Sequence, residues 1–141
     1  MKKIFLGMLL FLYPVAALAA EPPSPSPKAM IETFFGEVQK GNVVVAYDQL
    51  FTGSPIPVDK PQAVTVLKQQ TQANLPLYGK ILGFELVHEE KLSDSVMRYV
   101  YILKTEKAPI TWEFYFYKPK SEWYLANINF NDQFNFLGSK K

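Results

Sequence analysis

The stretch that decides the fold is residues 110–118, which read Ile-Thr-Trp-Glu-Phe-Tyr-Phe-Tyr-Lys. In a β-strand, alternate side chains leave opposite faces of the sheet. The wholly apolar face of this strand consists of Ile110, Trp112, Phe114 and Phe116. The opposite face carries polar groups, half of them on aromatic rings, and consists of Thr111, Glu113, Tyr115 and Tyr117. The pattern predicts a sheet whose second face is also used, by a partner chain, a helix or a ligand.

The same alternation runs through the C-terminal half of the chain and predicts four strands. They cover residues 78–89, 96–106, 110–118 and 123–131. Gly79 and Gly83 lie within the first strand, where glycine often marks a bulge. The connections are short, so successive strands should pair as an antiparallel meander.

The N-terminal half has the period of helices. Met30, Phe34 and Val38 recur at helical spacing in a helix that begins at Ala29 and ends near Gly41. A second helix is expected from residue 42 or 43 to residue 51, with Asn42 as its N-cap.

A third helix is expected after a loop at residues 52–59. Asp59 would cap it, Pro61 would take its first position, and it must stop before Pro76. The sequence therefore predicts an α+β fold, in which three N-terminal helices pack on a curved four-stranded antiparallel meander sheet.

The first twenty residues have the pattern of a signal peptide. Lys2 and Lys3 are followed by an apolar run at residues 4–12 and by the small-x-small motif at residues 17–19. Cleavage is expected after Ala19 or Ala20. The apolar run is shorter than the roughly 18 residues that a membrane anchor needs. We therefore predict export to the periplasm or the medium, with no membrane span in the mature protein.

The composition of the remaining chain limits its possible domain organisation, partners and chemistry. Residues 21–27 are rich in proline and serine and predict an extended spacer, followed by a single domain at residues 28–132 and a tail at residues 133–141. Removing Lys2 and Lys3 from 15 basic residues leaves 13, which equals the 13 acidic residues. A neutral chain argues against nucleic acid or an anionic membrane as partner. Without cysteine, disulfides and thiolate chemistry are excluded.

Few residues could carry catalysis. His88 is the only histidine, and it lies beside Glu89, Glu90 and Lys91, the composition of a solvated strand end. No glycine-rich phosphate loop precedes a helix. The sequence predicts no metal site and no cofactor, and we assign no catalytic residue.

Three stretches carry a resemblance to a known family. They are residues 78–87 (Tyr-Gly-Lys-Ile-Leu-Gly-Phe-Glu-Leu-Val), residues 112–118 (Trp-Glu-Phe-Tyr-Phe-Tyr-Lys) and residues 123–130 (Trp-Tyr-Leu-Ala-Asn-Ile-Asn-Phe). Together with the preceding helices, they resemble the NTF2-like (cystatin-type, cone-shaped) superfamily, and small exported bacterial members of it in particular. The resemblance covers residues 28–132 and is a pattern of elements, with no catalytic motif.

The resemblance suggests where a site would lie. NTF2-like enzymes such as ketosteroid isomerases hold a carboxylate base and proton donors inside the cone, which makes Glu113 the candidate carboxylate, with amide donors at Asn127 and Asn129. Arg98 could instead pair with Glu113 across the sheet, in a contact worth about 0.2–1 kcal/mol. A ligand-orienting role is a third interpretation. No residue aligns onto an isomerase motif, so an enzymatic activity is uncertain and less favoured.

Aromatic residues are the other functional signal. The chain has 11 Phe, 8 Tyr and 2 Trp, and tyrosine is enriched at interfaces. The tyrosines in question lie on three successive strands and are Tyr99, Tyr101, Tyr115, Tyr117 and Tyr124. NTF2-like sheets often dimerise through the outer face, so the resemblance implies a homodimer. The alternative is that these tyrosines only cover an open face of the sheet or contact a ligand.

The favoured hypothesis is an exported, non-catalytic NTF2-like module. It would bind a small apolar ligand in its cone or associate through its sheet face. The candidate ligand-binding or interface residues are Arg98, Glu113, Tyr115, Tyr117, Asn127 and Asn129. The alternatives are an isomerase- or hydratase-type enzyme and a structural accessory domain of an envelope assembly.

Overall fold

The computed structural model describes residues 23–133. The predicted signal peptide therefore lies outside the described residues, as do residues 21–22 of the spacer and 134–141 of the tail. In the described range, helices precede a single four-stranded antiparallel sheet, in which each strand pairs with the next one along the chain. The predicted α+β class and antiparallel meander are confirmed. No helix in this range is long and apolar enough to cross a membrane.

Helix α1 (Pro27–Gln39) begins two residues before the predicted start. The Ser26 hydroxyl accepts a hydrogen bond from the backbone N–H of Ala29 at 3.2 Å, which satisfies a donor that the first turn leaves unpaired. Pro27 fits the first position because no backbone N–H is needed there. The chain leaves the helix at Gly41, whose φ of 83° is strained for any residue with a side chain.

Three more helices follow. They are α2 (Val43–Leu50), the single turn α3 (Ile56–Asp59) and α4 (Pro61–Asn74), which continues as a 3-10 turn (Leu75–Tyr78). The structure thus differs from the predicted three helices, because the proline-rich loop contains a helical turn of its own.

That additional turn explains a wrong prediction about capping. Asp59 has helical backbone as the last residue of α3, whereas an N-cap residue needs a non-helical backbone. Lys60 takes the cap position of α4 instead, without a side-chain capping bond. Asn42 does precede α2, but its side-chain amide donates to the Glu37 carboxylate at 2.9 Å and does not cap the helix.

The four strands are β1 (Ile81–Ser93), β2 (Val96–Thr105), β3 (Pro109–Tyr117) and β4 (Tyr124–Asn131). Each overlaps its predicted counterpart. The largest difference is in β1, which begins and ends later than expected.

Strand β1 is interrupted by three register shifts against β2. They fall between Ile81 and Gly83, between Leu86 and His88, and between Lys91 and Ser93. The residues that each shift leaves without a partner on β2 are all aliphatic: Leu82, Val87 and Leu92. The predicted bulge at Gly83 is confirmed, and its φ of 151° is one that side chains rarely allow.

The apolar face of β3 forms the floor of the core. Trp112 and Phe114 are fully buried, and two rings of α1 pack on them edge to face. The ring centroids are 5.3 Å apart for Phe34 and Trp112 and 5.7 Å apart for Phe35 and Phe114. The prediction that this face of β3 meets the helices is confirmed.

Two of the predicted interface tyrosines belong to this core. Tyr99 pairs with Phe114 and Tyr101 pairs with Trp112 across the sheet, so both share the inner face. They are 4% and 2% exposed. Their assignment to the outer contact surface is wrong, because the register of β2 places them on the side that meets α1.

The core tyrosines should make stability depend on alkaline pH. Burial raises the pKa of Tyr99 to about 12 and that of Tyr101 to about 12, whereas both ionise near pH 10 in an unfolded chain. Their contribution is complete below about pH 10 and is lost as the pH rises towards 12, because only the unfolded chain ionises readily there. The urea midpoint should fall across this window. The urea midpoint should fall less in Tyr101→Phe than in the wild type, and as much as in the wild type in Tyr117→Phe. A wild-type midpoint that stays constant across this pH window would contradict the assignment of these tyrosines to the core.

The two faces of β3 should respond differently to truncation. Trp112→Ala should lower the free energy of unfolding by about 3–5 kcal/mol, because it removes a fully buried ring from a packed core. Tyr115→Ala on the opposite face should lower it by about 1 kcal/mol. Urea denaturation of both variants measures the difference, and a near wild-type midpoint for Trp112→Ala would reverse the assignment of faces.

Candidate functional site

The second face of the sheet brings three predicted residues into direct contact. Arg98 of β2 lies opposite Tyr115 of β3, and Glu113 is two residues before Tyr115 on the same face. The Arg98 Nε–H donates to Glu113 Oε2 at 3.1 Å, and the Tyr115 hydroxyl donates to the same oxygen at 3.0 Å. We call this group, together with Glu90, the Arg98 cluster.

Glu90 joins the cluster from β1. Arg98 Nη1 donates to Glu90 Oε2 at 3.1 Å, and His88 Nε2 is 3.6 Å from the same carboxylate oxygen. Glu90 was not among the predicted site residues. In the sequence, only the short turn at residues 94–95 indicates how β1 and β2 are aligned. The bulges in β1 change that alignment and can be located only from the observed pairing.

The electrostatics of the cluster favour the charged form of Arg98. Only 13% of the Arg98 side chain and 19% of the Glu113 side chain are exposed. Burial alone would lower the pKa of Arg98, but its bonds to Glu90 and Glu113 outweigh burial and raise that pKa. Burial, followed by the bond to Glu113, raises the pKa of Tyr115. Arg98 therefore bridges two carboxylates on neighbouring strands, which ties three strands together and leaves the cluster with one negative charge in excess.

The remaining predicted residues lie on the same face. Asn129 pairs with Glu113 and Asn127 pairs with Tyr115 in the β3–β4 register. Both asparagines are exposed, and neither side chain has a hydrogen bond within the described part of the chain. Tyr117 is 37% exposed, and its ring packs edge to face on Tyr124 at 5.7 Å. All six candidate residues therefore share one face of the sheet.

Glu113 is not in the interior where an isomerase-type base would be. The alternation of β3 places it on the opposite side of the sheet from Trp112, and Arg98 and Tyr115 occupy its carboxylate. The prediction that Glu113 is an interior carboxylate is wrong. Its surroundings match the alternative interpretation, in which Glu113 pairs with Arg98 across the sheet. Among residues 23–133, no three His, Asp or Glu side chains are grouped so that they could hold a metal ion.

Aromatic rings fill the space between α1 and the sheet. Four clefts on the described part of the chain have volumes of about 510, 470, 190 and 320 Å³. None of the four is lined by Phe34, Phe35, Trp112 or Phe114. The largest lies between the segment before α1 and the start of β4, and none of the six candidate site residues lines it.

Comparisons with known proteins add no identification. No family model matches the chain, and no similar curated protein or solved structure was found. The class that the structure establishes is an α+β protein with helices and one antiparallel four-stranded sheet.

The contribution of the cluster can be measured by removing the shared cation. Arg98→Met should lower the free energy of unfolding by about 1–3 kcal/mol, since Glu113 and Glu90 lose the cation that they share and Glu113 is only 19% exposed. Glu113→Gln should cost less than about 1 kcal/mol, because the amide oxygen still accepts from Arg98. Urea denaturation gives both values.

Lys104→Met is the matched control for this experiment. Lys104 lies on the same strand and pairs with Glu85, but the side chains are 45% and 58% exposed. Its loss should change stability by no more than about 0.5 kcal/mol. An equal effect of Arg98→Met and Lys104→Met would show that the cluster contributes no more than a surface ion pair.

Proposed function

We propose that this protein is an exported, non-catalytic interaction module of NTF2-like architecture, and that it forms a homodimer through the second face of its sheet. The order of helices before a four-stranded meander supports the architecture. The observation that carries the function is the pair of exposed, unbonded asparagines at positions 127 and 129, beside a cluster whose charges are already paired.

The packed interior favours association over a ligand held in the cone. Phe34 contacts Trp112 and Phe114, and all three are fully buried. A small molecule would have to displace these rings, and creating such space in a packed core costs several kcal/mol. The geometry of Glu113 likewise does not favour the isomerase- or hydratase-type alternative.

The chemistry of the second face suits a second copy of the same chain. A two-fold interface brings the same surface patch together from both subunits, so its groups must complement themselves. The amides of Asn127 and Asn129 each supply donors and an acceptor, and the partly exposed ring of Tyr117 can pack on its equivalent. An accessory domain of an envelope assembly is a role that such a dimer could also serve.

The size of the face predicts a weak dimer. Strands about 4.8 Å apart that rise about 3.3 Å per residue give four strands of the length of β4 an area of roughly 500 Å². Stable interfaces bury about 800 Å² per partner. We therefore expect association in the micromolar range.

Sedimentation velocity from about 1 to about 200 µM tests the proposal. The wild-type protein should shift from monomer to dimer with concentration. Asn127→Arg should remain a monomer, because it adds bulk and charge within the proposed contact.

Val58→Arg is the matched control, since it adds the same side chain at a position of α3 that is 83% exposed. It should dimerise like the wild type. A wild-type protein that stays monomeric up to the highest concentration, or equal dimerisation of Asn127→Arg, would overturn the proposed interface.

A further inference from the structure

The largest of the four clefts borders the proposed dimer face at Tyr124, whose ring packs on Tyr117. It is formed by the segment before α1, the first turns of α1, the end of α2 and the start of β4. We call it the rim cleft. Its volume of about 510 Å³ is within the range of about 300–1,000 Å³ found for small-molecule sites. Its apolar walls come from Pro25, Met30, Trp123 and Tyr124.

Three polar groups of the rim cleft offer acceptor oxygens, and Gln49 adds an amide that both donates and accepts. The Ser24 hydroxyl donates to Glu122 Oε1 at 2.9 Å, and the Thr33 hydroxyl donates to the Ala29 carbonyl at 2.9 Å. Each hydroxyl proton is thereby committed, while lone pairs on both oxygens stay available. The second carboxylate oxygen of Glu122 has no hydrogen bond within the described range. A ligand that complements these groups must donate hydrogen bonds.

The aromatic wall already attracts one positive charge at Trp123, so the charged group left for a ligand is the Glu122 carboxylate. The ammonium of Lys118 lies 4.9 Å from the centroid of the Trp123 ring. A cation at this distance is attracted by the negative face of the indole. Glu122 precedes Trp123 and supplies the only charged side chain among the residues that line the cleft. Apolar walls, acceptor oxygens and one carboxylate together define the complement of an organic cation.

We propose that the rim cleft binds a small apolar amine. Its ring or alkyl body would pack on Met30 and Tyr124, and its ammonium group would donate to Glu122. None of the residues that line the cleft belongs to the Arg98 cluster or to the asparagine pair, but Tyr124 packs on Tyr117 of the proposed contact, so the two proposals need separate tests.

Three probes of similar shape and different charge test the ligand class: 2-phenylethylamine, 2-phenylethanol and 3-phenylpropionate. Binding can be followed by NMR through the indole N–H signals, assigned with Trp123→Phe. The signal of Trp123 should move, and that of the fully buried Trp112 should not. For a probe of this size we expect a dissociation constant on the order of 1 mM for the amine. The alcohol should bind about tenfold more weakly and the carboxylate not measurably.

Two kinds of variant locate the site. Glu122→Gln should weaken binding of the amine about tenfold, to the affinity of the alcohol, and should leave binding of the alcohol unchanged. Thr33→Phe should abolish binding of both probes by filling the cleft from α1. Gln49→Phe should fill the cleft from α2 and abolish binding in the same way, and it replaces Thr33→Phe if that variant does not fold. Both positions are exposed.

The proposal is overturned if the carboxylate binds as tightly as the amine, if no probe moves the Trp123 signal, or if binding persists in a folded Thr33→Phe or Gln49→Phe protein. Asn127→Arg separates this result from the test of the dimer. Amine binding should be the same in that variant as in the wild type, whichever oligomeric state it adopts.

Discussion

The packing of Phe34 and Phe35 against Trp112 and Phe114 is the contact on which the rest of the structure depends. It buries both α1 rings completely between helix and sheet. Because side chains alternate along a strand, fixing Trp112 on the inner side also fixes Glu113 and Tyr115 on the outer side. The location of the Arg98 cluster is thus a consequence of core packing, not of any preference of its charged groups.

That dependence explains which features could be predicted from the sequence. The two faces of β3 follow from its alternation alone, and the shared face of Arg98, Glu113 and Asn129 follows once the strands are paired. The register of β1 could not be predicted, because three bulges shift it and only the one at Gly83 has a glycine as its signal. Glu90 was missed as a partner of Arg98 for that reason.

Features that bring together segments distant in the chain could not be predicted from the sequence either. Tyr99 and Tyr101 are of a residue type that is common at interfaces, but the register of β2 directs both side chains into the core. The rim cleft combines Ser24, Thr33 and Glu122 from segments that no local pattern connects. Similarly, α3 forms inside a proline-rich loop, where Pro55 and Pro57 have backbone angles compatible with a helical turn.

The bulges of β1 have a consequence for how the sheet ends. This strand forms one edge of the sheet, and its ladder is broken at Leu82, Val87 and Leu92. Between these breaks, only residues 83–86 and 88–91 keep regular pairing. An incoming strand needs a long, flat row of backbone groups, which bulges and the added twist remove. The irregular β1 edge therefore disfavours runaway strand addition and fibril growth from this side of the sheet.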